Sequence, residues 1–439
     1  MSHFYISPPG ATRWTTRFVG IIWALMTLSA LGFVLHFGRN APWADEWETL
    51  PGLLNRTPLL SWLWVQHNEH RLPLPRLIFW ILFQITHDFR SGMVLQVLLL
   101  SATAIGFLRL ARRIRGQSNI ADAFFPIVLL HWGHVENFVM GYQICFALTA
   151  CGVFGLLAII ANTTEGNRVR SGYMAGGVLL LLATTGGSGL AFVPPICAWL
   201  LYLGYRERAW GLFVIAAIAM AYIGFYLWGY ARPPAHPSPN WSQPERAGVV
   251  AAQVLGMSVG TPAMSNWPIA ASYVIGVVAV TLFLLIRGAE NRSRSLGLLM
   301  LLAGAVGLAI AIGIGRSGFA SDTMGLWSRY SLLTVPVLAI AYIVCLQAGG
   351  KWARCGPMLL VSVAALSLPQ NVQFGHGWAS SYAEDMDAME VDVRADLPTK
   401  EVINRNRYLS QLDRDEQIRV GILLLQNAGI SYFRTAVLR

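Results

Sequence analysis

Apolar runs of membrane-crossing length recur along this chain, and nothing constrains its fold more. A hydrocarbon core takes roughly 20 residues of helix to cross. Segments 18–37, 211–228 and 331–346 approach or reach that length, and shorter apolar stretches lie between them. The 439 residues are 55% hydrophobic and 12% charged, with a mean hydropathy of +0.51. That is too apolar for a water-soluble globule and predicts an all-α polytopic membrane protein. The first run lacks a small-residue cleavage site and is followed by Gly38-Arg39-Asn40, so it reads as a retained anchor.

The net charge of +10 does not point to nucleic acid, because Lys and Arg gather in short loops between apolar spans. That pattern orients a chain in a membrane. The five cysteines, Cys145, Cys151, Cys197, Cys345 and Cys355, have no metal-type spacing and read as packing residues.

Arg13 and Arg17 precede the first span and place the N-terminus in the cytoplasm. Arg109, Arg112, Arg113 and Arg115 follow the run 92–110 and belong on the same side, so one crossing separates the two. Segment 77–85 is short and introduced by Pro73, Pro75 and Arg76; it reads as an interfacial helix inside one long outer loop, 38–90. Further spans are expected at 124–130, 145–161, 173–184, 190–204 and 211–228, with 232–244 an outer loop. Segment 249–260 reads as re-entrant or surface-lying, since a crossing there would put Arg287, Arg292, Arg294, Lys351 and Arg354 outside. Spans at 270–286, 296–314, 331–346 and 357–368 complete about eleven on hydropathy and charge. Residues 1–370 then form a transmembrane catalytic domain. Residues 371–439, which carry Glu384, Asp385, Asp387, Glu390, Asp392 and Asp396 and then a mixed-charge amphipathic stretch, form a small outer-face tail. Within it, 404–427 has helical spacing through Tyr408, Leu412, Ile418, Ile422 and Leu425.

On this threading the polar outliers share the outer face. Asp45-Glu46-Trp47-Glu48 lies just beyond the first span and His67-Asn68-Glu69-His70-Arg71 about twenty residues later. His131, His134 and Glu136 end a span, and Arg316, Asp322, Arg329 and Tyr330 flank late spans. Ionisable groups at a membrane are costly unless they bind something or do chemistry. The plainer readings are a solvated loop with interfacial tryptophans at 45–48, a hydrogen-bonded helix cap at 67–71 and a hydrated span end at 131–136. For Arg329 the plainer reading is snorkelling, and for Asp322 an ordinary loop acid. His67, Glu69 and His70 read as an active-site wall; a divalent cation is left open there. Gly186-Gly187-Ser188-Gly189 reads as a close interhelical connection, lacking the strand and Lys of a phosphate-binding loop.

The arrangement resembles the GT-C superfamily of membrane glycosyltransferases over most of residues 1–370. The resemblance rests on Asp45-Glu46 within Trp43-Ala44-Asp45-Glu46-Trp47, on an interfacial helix at 72–85, and on Arg329-Tyr330 followed by Pro336. It implies transfer of a sugar from a polyprenyl-phosphate donor to a hydroxyl of an envelope glycan, lipid or protein at the outer face. Asp45 would be the base, with Glu46 assisting it or holding acceptor or metal. Arg329, Arg316 and Arg71 would face the donor phosphate. His67, Glu69, His70, His131, His134, Glu136 and Tyr330 would line the substrate site. The alternatives are an oligosaccharide ligase or polymerase using a lipid-pyrophosphate donor, and a lipid or glycan transporter. The expected partners are the lipid-linked sugar, its acceptor and membrane lipids, without nucleic acid, in a bacterial inner membrane with the site facing the periplasm. A non-catalytic assembly protein, binding a partner through the acidic loop, belongs to a different class.

Overall fold

A computed structural model describes residues 9–288, 291–406 and 415–435. Among them there is no strand, only an isolated bridge between His67 and His70. The long first helix, α1 (Pro9–Phe37), leads into the short helices α2 (Glu46–Leu53), α3 (Leu59–Trp64) and α4 (Pro73–Thr86). Next come α5 (Arg90–Arg115), α6 (Phe124–Leu130), α7 (Val135–Phe138), α8 (Ile144–Ala161) and α9 (Arg168–Ala183). They are followed by α10 (Gly187–Leu190), α11 (Val193–Glu207), α12 (Trp210–Leu227), α13 (Pro244–Gly256) and α14 (Pro262–Ser265). The last are α15 (Trp267–Arg287), α16 (Arg292–Arg316), α17 (Tyr330–Ala348), α18 (Gly350–Arg394), α19 (Thr399–Arg405) and α20 (Asp415–Ala428).

Nine helices among the described residues are long and apolar enough to cross a membrane. The two other segments expected to cross, 124–130 and 173–184, form helices of only 7 and 16 residues. Both nonetheless run between the two ends of the bundle. Asp122, just before α6, meets Tyr342 near the end of α17, whereas His134 meets Ser331 at its start. Arg168 at the start of α9 pairs with Glu207 at the end of α11, and the carbonyl of Thr184 beyond α9 accepts from Leu74 of α4. Helix α4 has 14 residues, begins with Pro73 and stops at His87 in the left-handed region (φ +52°), too short to cross. Helix α13 likewise has 13 residues and packs between α15 and α16.

Two helices set the shape. In α17, 89% of the apolar window is buried, against 22% for α1 and α12, whose outer faces are left for lipid. Helix α18 has 45 residues, about 67 Å at 1.5 Å per residue, more than twice the ~30 Å hydrocarbon thickness. It passes position 370 without interruption, and its far half carries the C-terminal residues back over segment 38–90. There Arg39 grips Asp387 through two hydrogen bonds of 2.5 and 2.8 Å. The Trp43 ring meets Trp378 and Tyr382 edge-on, and Phe433 meets Trp47 edge-on at 6.5 Å. Ile418, Ile422 and Leu425 of α20 are buried as their spacing predicts; Tyr408 and Leu412 lie outside the described residues.

Glycines let α18 approach this closely. A Cβ on Gly375 would lie 2.2 Å from the Trp132 carbonyl oxygen, and one on Gly133 or Gly260 would lie 2.2 Å from Asn371 Oδ1. A backbone oxygen cannot swing aside as a side chain can. Gly375→Ala is therefore expected to destabilise the protein by about 1–3 kcal/mol. Gly377→Ala, whose Cβ would meet nothing within 4 Å, should leave the midpoint of thermal unfolding in detergent at or above wild type.

Candidate functional site

The chain after α1 turns at Ala44, in the left-handed region (φ +49°), and delivers Asp45 and Glu46 to the start of α2. Glu46 is fully buried. Its Oε2 accepts from the Trp43 amide at 3.1 Å and its Oε1 from the Tyr142 amide at 3.0 Å. Burial pushes its pKa up to about 8, and the backbone donors only partly offset this. It is a carboxyl poised to change charge near neutrality.

Beside it, residues 67–70 form a tight two-rung turn, with hydrogen bonds of 2.7 and 2.8 Å and Asn68 at φ +48°. This turn inserts His67 between two carboxylates. Nδ1 is 2.9 Å from Glu48 Oε2 and Nε2 is 3.5 Å from Asp45 Oδ2. The ring stands edge-on to Tyr142 at 5.4 Å. Burial opposes protonation of His67, but Asp45 and Glu48 outweigh it and hold the pKa above the ordinary 6.5.

The same turn aims Glu69 the other way. It contacts His236 Nδ1, from the 232–244 loop, and Arg316 at the end of α16, at 3.3 Å. Burial alone would raise the Glu69 pKa; Arg316, His70 and His236 together hold it below the usual carboxylate value. His70 is pushed down to about 4 by burial, so its ring is neutral at pH 7. Arg71 is a structural lock. Its guanidinium donates to the carbonyls of Tyr226, Trp64 and Trp228 at 2.9–3.1 Å and covers the Trp64 ring. Arg76 does the same for Trp62 and Val65 and also donates to the Tyr142 hydroxyl at 3.1 Å.

A third group surrounds the start of α17. Glu136 is buried and accepts from the Ser328 hydroxyl at 2.6 Å, the Arg329 amide at 3.1 Å and the Arg329 guanidinium at 3.5 Å. Arg329 also stacks on Trp327 and on buried Tyr330. His134 bonds Ser331 at 2.7 Å and the Val128 carbonyl at 2.9 Å, and the His131 ring stacks on it at 4.0 Å. Asp322, exposed, pairs with Arg246 as a loop acid.

Thus the residues singled out in the sequence form three neighbouring groups rather than one cavity. Asp45, Glu46 and His67 are joined by Glu48; Glu69 and His70 by Arg316; Glu136, His131 and His134 by Arg329 and Tyr330. Sequence reasoning passed over His236, Arg76, Tyr142, Ser328 and Ser331 as participants. None carries a local signal, because each reaches its partner across a long stretch of chain. Among the described residues, no group of three or more His, Cys, Asp or Glu side chains is arranged to hold a metal.

No protein-family model and no solved structure matches the chain. Over 165 residues it is 30% identical to NADH-quinone oxidoreductase subunit 14 of Thermus thermophilus. The alignment covers 34% of this chain and 38% of that subunit, so the chain spans well under half of this relative's length. This similarity, to an oxidoreductase subunit, corrects the expectation of sugar transfer from a polyprenyl-phosphate donor, together with its ligase, polymerase and transporter alternatives. The side chains are consistent with the correction. Arg71, Arg316 and Arg329, the groups meant for the donor phosphate, are engaged with backbone carbonyls, Glu69 and Glu136 respectively.

An unfolded carboxyl releases its proton near 4.5, whereas Glu46 in the folded protein keeps its own to about pH 8. Folding therefore takes up a proton between these values, and stability falls as pH rises from about 4.5 to about 8. Infrared spectra should show a protonated-carboxyl band at pH 7 that fades around pH 8 and is missing in Glu46→Gln. A band unchanged by that substitution would show Glu46 to be ionised throughout.

Proposed function

We propose that this protein is a multi-pass membrane protein that handles protons through a buried acid–base network. The observation that carries the reading is the placement of buried Glu46 beside the Asp45–His67–Glu48 cluster, with Tyr142 touching both Glu46 and His67. A carboxyl whose pKa is pushed up to about 8 and, near it, a histidine whose pKa is raised by two carboxylates are groups of the kind that proton transfer uses. Pairing within the protein makes this affordable in a low-dielectric setting.

The flank of α17 supports the same reading. Arg329 and Ser328 at its outer end hold Glu136, Ser331 one turn on holds His134, and Tyr342 near its other end donates to Asp122 at 2.6 Å. Asp122 is also gripped by Arg115 at 2.8 Å. Polar groups thus mark both ends of a helix that is buried from Tyr330 through Leu346. Similarity over part of the chain to a subunit of a quinone oxidoreductase accords with such a role. The reading includes eleven crossings, with 120–139 and α9 as the two short ones. It puts the basic loops in the cytoplasm and the acidic cluster on the opposite, periplasmic face of a bacterial inner membrane.

Proton uptake by liposomes containing the purified protein, driven by a potassium–valinomycin potential and followed with an internal pH dye, tests this. Wild type is expected to exceed protein-free liposomes, with Glu46→Gln and His67→Asn each reducing the flux at least about tenfold. A wild-type flux equal to that of empty liposomes, with protein correctly folded, would remove the proposal.

A further inference from the structure

Two interruptions of helical backbone meet inside the bundle. One separates α6 from α7, where His131 is extended (ψ 152°) and Trp132–His134 forms a 3-10 turn. The other follows α13, where Met257–Val259 forms a 3-10 turn and Gly260 takes φ +86°. Both pack against α17 and α18. Non-helical backbone at membrane depth persists only where it is enclosed by protein or lines a wet cavity.

Between the two breaks is a cavity of about 10 Å³, with walls that include Val128, His131, Ser258, Leu338 and Asn371. That volume accommodates one water molecule. His131 and Ser258 are 3% and 1% exposed, and neither His131 Nδ1 nor Ser258 Oγ has a hydrogen-bond partner in the protein. Asn371 cannot supply one. Its Oδ1 accepts from the amide and hydroxyl of Thr261 at 2.8 and 3.1 Å, and its amide donates to Ser367 and Val259 carbonyls. Two stranded polar atoms on one water-sized cavity are satisfied together by a single occupant that can both donate and accept. The apolar remainder of the wall and the lack of a carboxylate among its residues disfavour a cation.

We propose that this cavity is a built site for one internal water, which donates to His131 Nδ1 and accepts from the Ser258 hydroxyl. The water fixes His131 with its proton on Nε2 while the ring stacks on His134. It also extends the polar flank of α17 inward from Ser331 to the level of Leu338, four residues or about 6 Å short of Tyr342. Its place on a proton route rests on the proton-handling reading; the water site itself does not.

A high-resolution structure of the full-length protein, paired with the same flux assay, tests both. A density peak within hydrogen-bonding distance of His131 Nδ1 and Ser258 Oγ, absent in Ser258→Val, is the expected result. A cavity without such a peak, or a peak touching only one of the two atoms, overturns the site. Should Ser258→Val fail to fold, Ser258→Ala replaces it. The ¹⁵N resonance of His131 Nδ1 should then shift away from the hydrogen-bonded position, and an unmoved resonance overturns the site. If the water is present and wild type carries flux, Ser258→Val should cut that flux at least fivefold, and undiminished flux removes the water from the route. If the water is present and wild type carries no flux, the site stands and the proton-handling reading falls.

Discussion

Helix α17 is enclosed on every side, and the rest of the molecule is arranged around that enclosure. From Tyr330 through Leu346 every residue is buried. A helix so placed satisfies its own backbone, but its hydroxyls and the charges at its ends have no water to turn to. Each therefore finds a partner on a neighbouring segment or on the helix itself. Ser328 and Arg329 reach Glu136, Ser331 reaches His134, Thr334 bonds back to its own helix, and Tyr342 reaches Asp122. Segment 120–139 is pinned near both ends by these bonds, which hold a broken string of short helices along α17. Removing one member of such a pair leaves an uncompensated group in a dry interior, a cost of about 3–5 kcal/mol when that group is charged.

The end of the bundle that carries segment 38–90 is governed by the same rule, applied to arginine. Arg71 and Arg76 tie the 62–71 loop to α12 and to Tyr142 through carbonyls rather than carboxylates. They hold the 67–70 turn rigidly enough to aim His67 at one acidic pair and Glu69 at Arg316. Adjacent residues thus serve opposite electrostatic environments. His67 is drawn toward its charged form by Asp45 and Glu48, whereas His70, three positions on and lacking an acceptor at Nδ1, is driven to its neutral form. The C-terminal residues close the arrangement, with Phe433 and Gly421 against Trp47. Glu46 lies one residue before that tryptophan, and its burial depends on this cover as well as on Tyr142.

Much was legible in the sequence. The apolar runs foretold a helical membrane protein, and the short apolar segments 77–85 and 249–260 fall in α4 and at the end of α13, helices of 14 and 13 residues. The acidic cluster and the first histidine-containing stretch meet in the fold, with His67 between Asp45 and Glu48. What could not be read was partnership. Arginines at 316 and 329 look alike along the chain, yet one answers to Glu69 and the other to Glu136, across 247 and 193 residues. An arginine that looked available for a phosphate was already engaged. The reach of α18 was likewise hidden, because its polar outer half has the composition of a surface tail.

By itself the sequence determined where helices must lie and which end of the bundle carries charge, since both follow from local hydropathy and from the cost of moving Lys and Arg across a membrane. Only the tertiary structure decided which charges cancel, which histidine is drawn toward its charged form and which away from it, and where two broken segments leave a water-sized space. Those outcomes depend on distances of a few ångströms between residues far apart in the chain, and on burial that no single segment can impose alone.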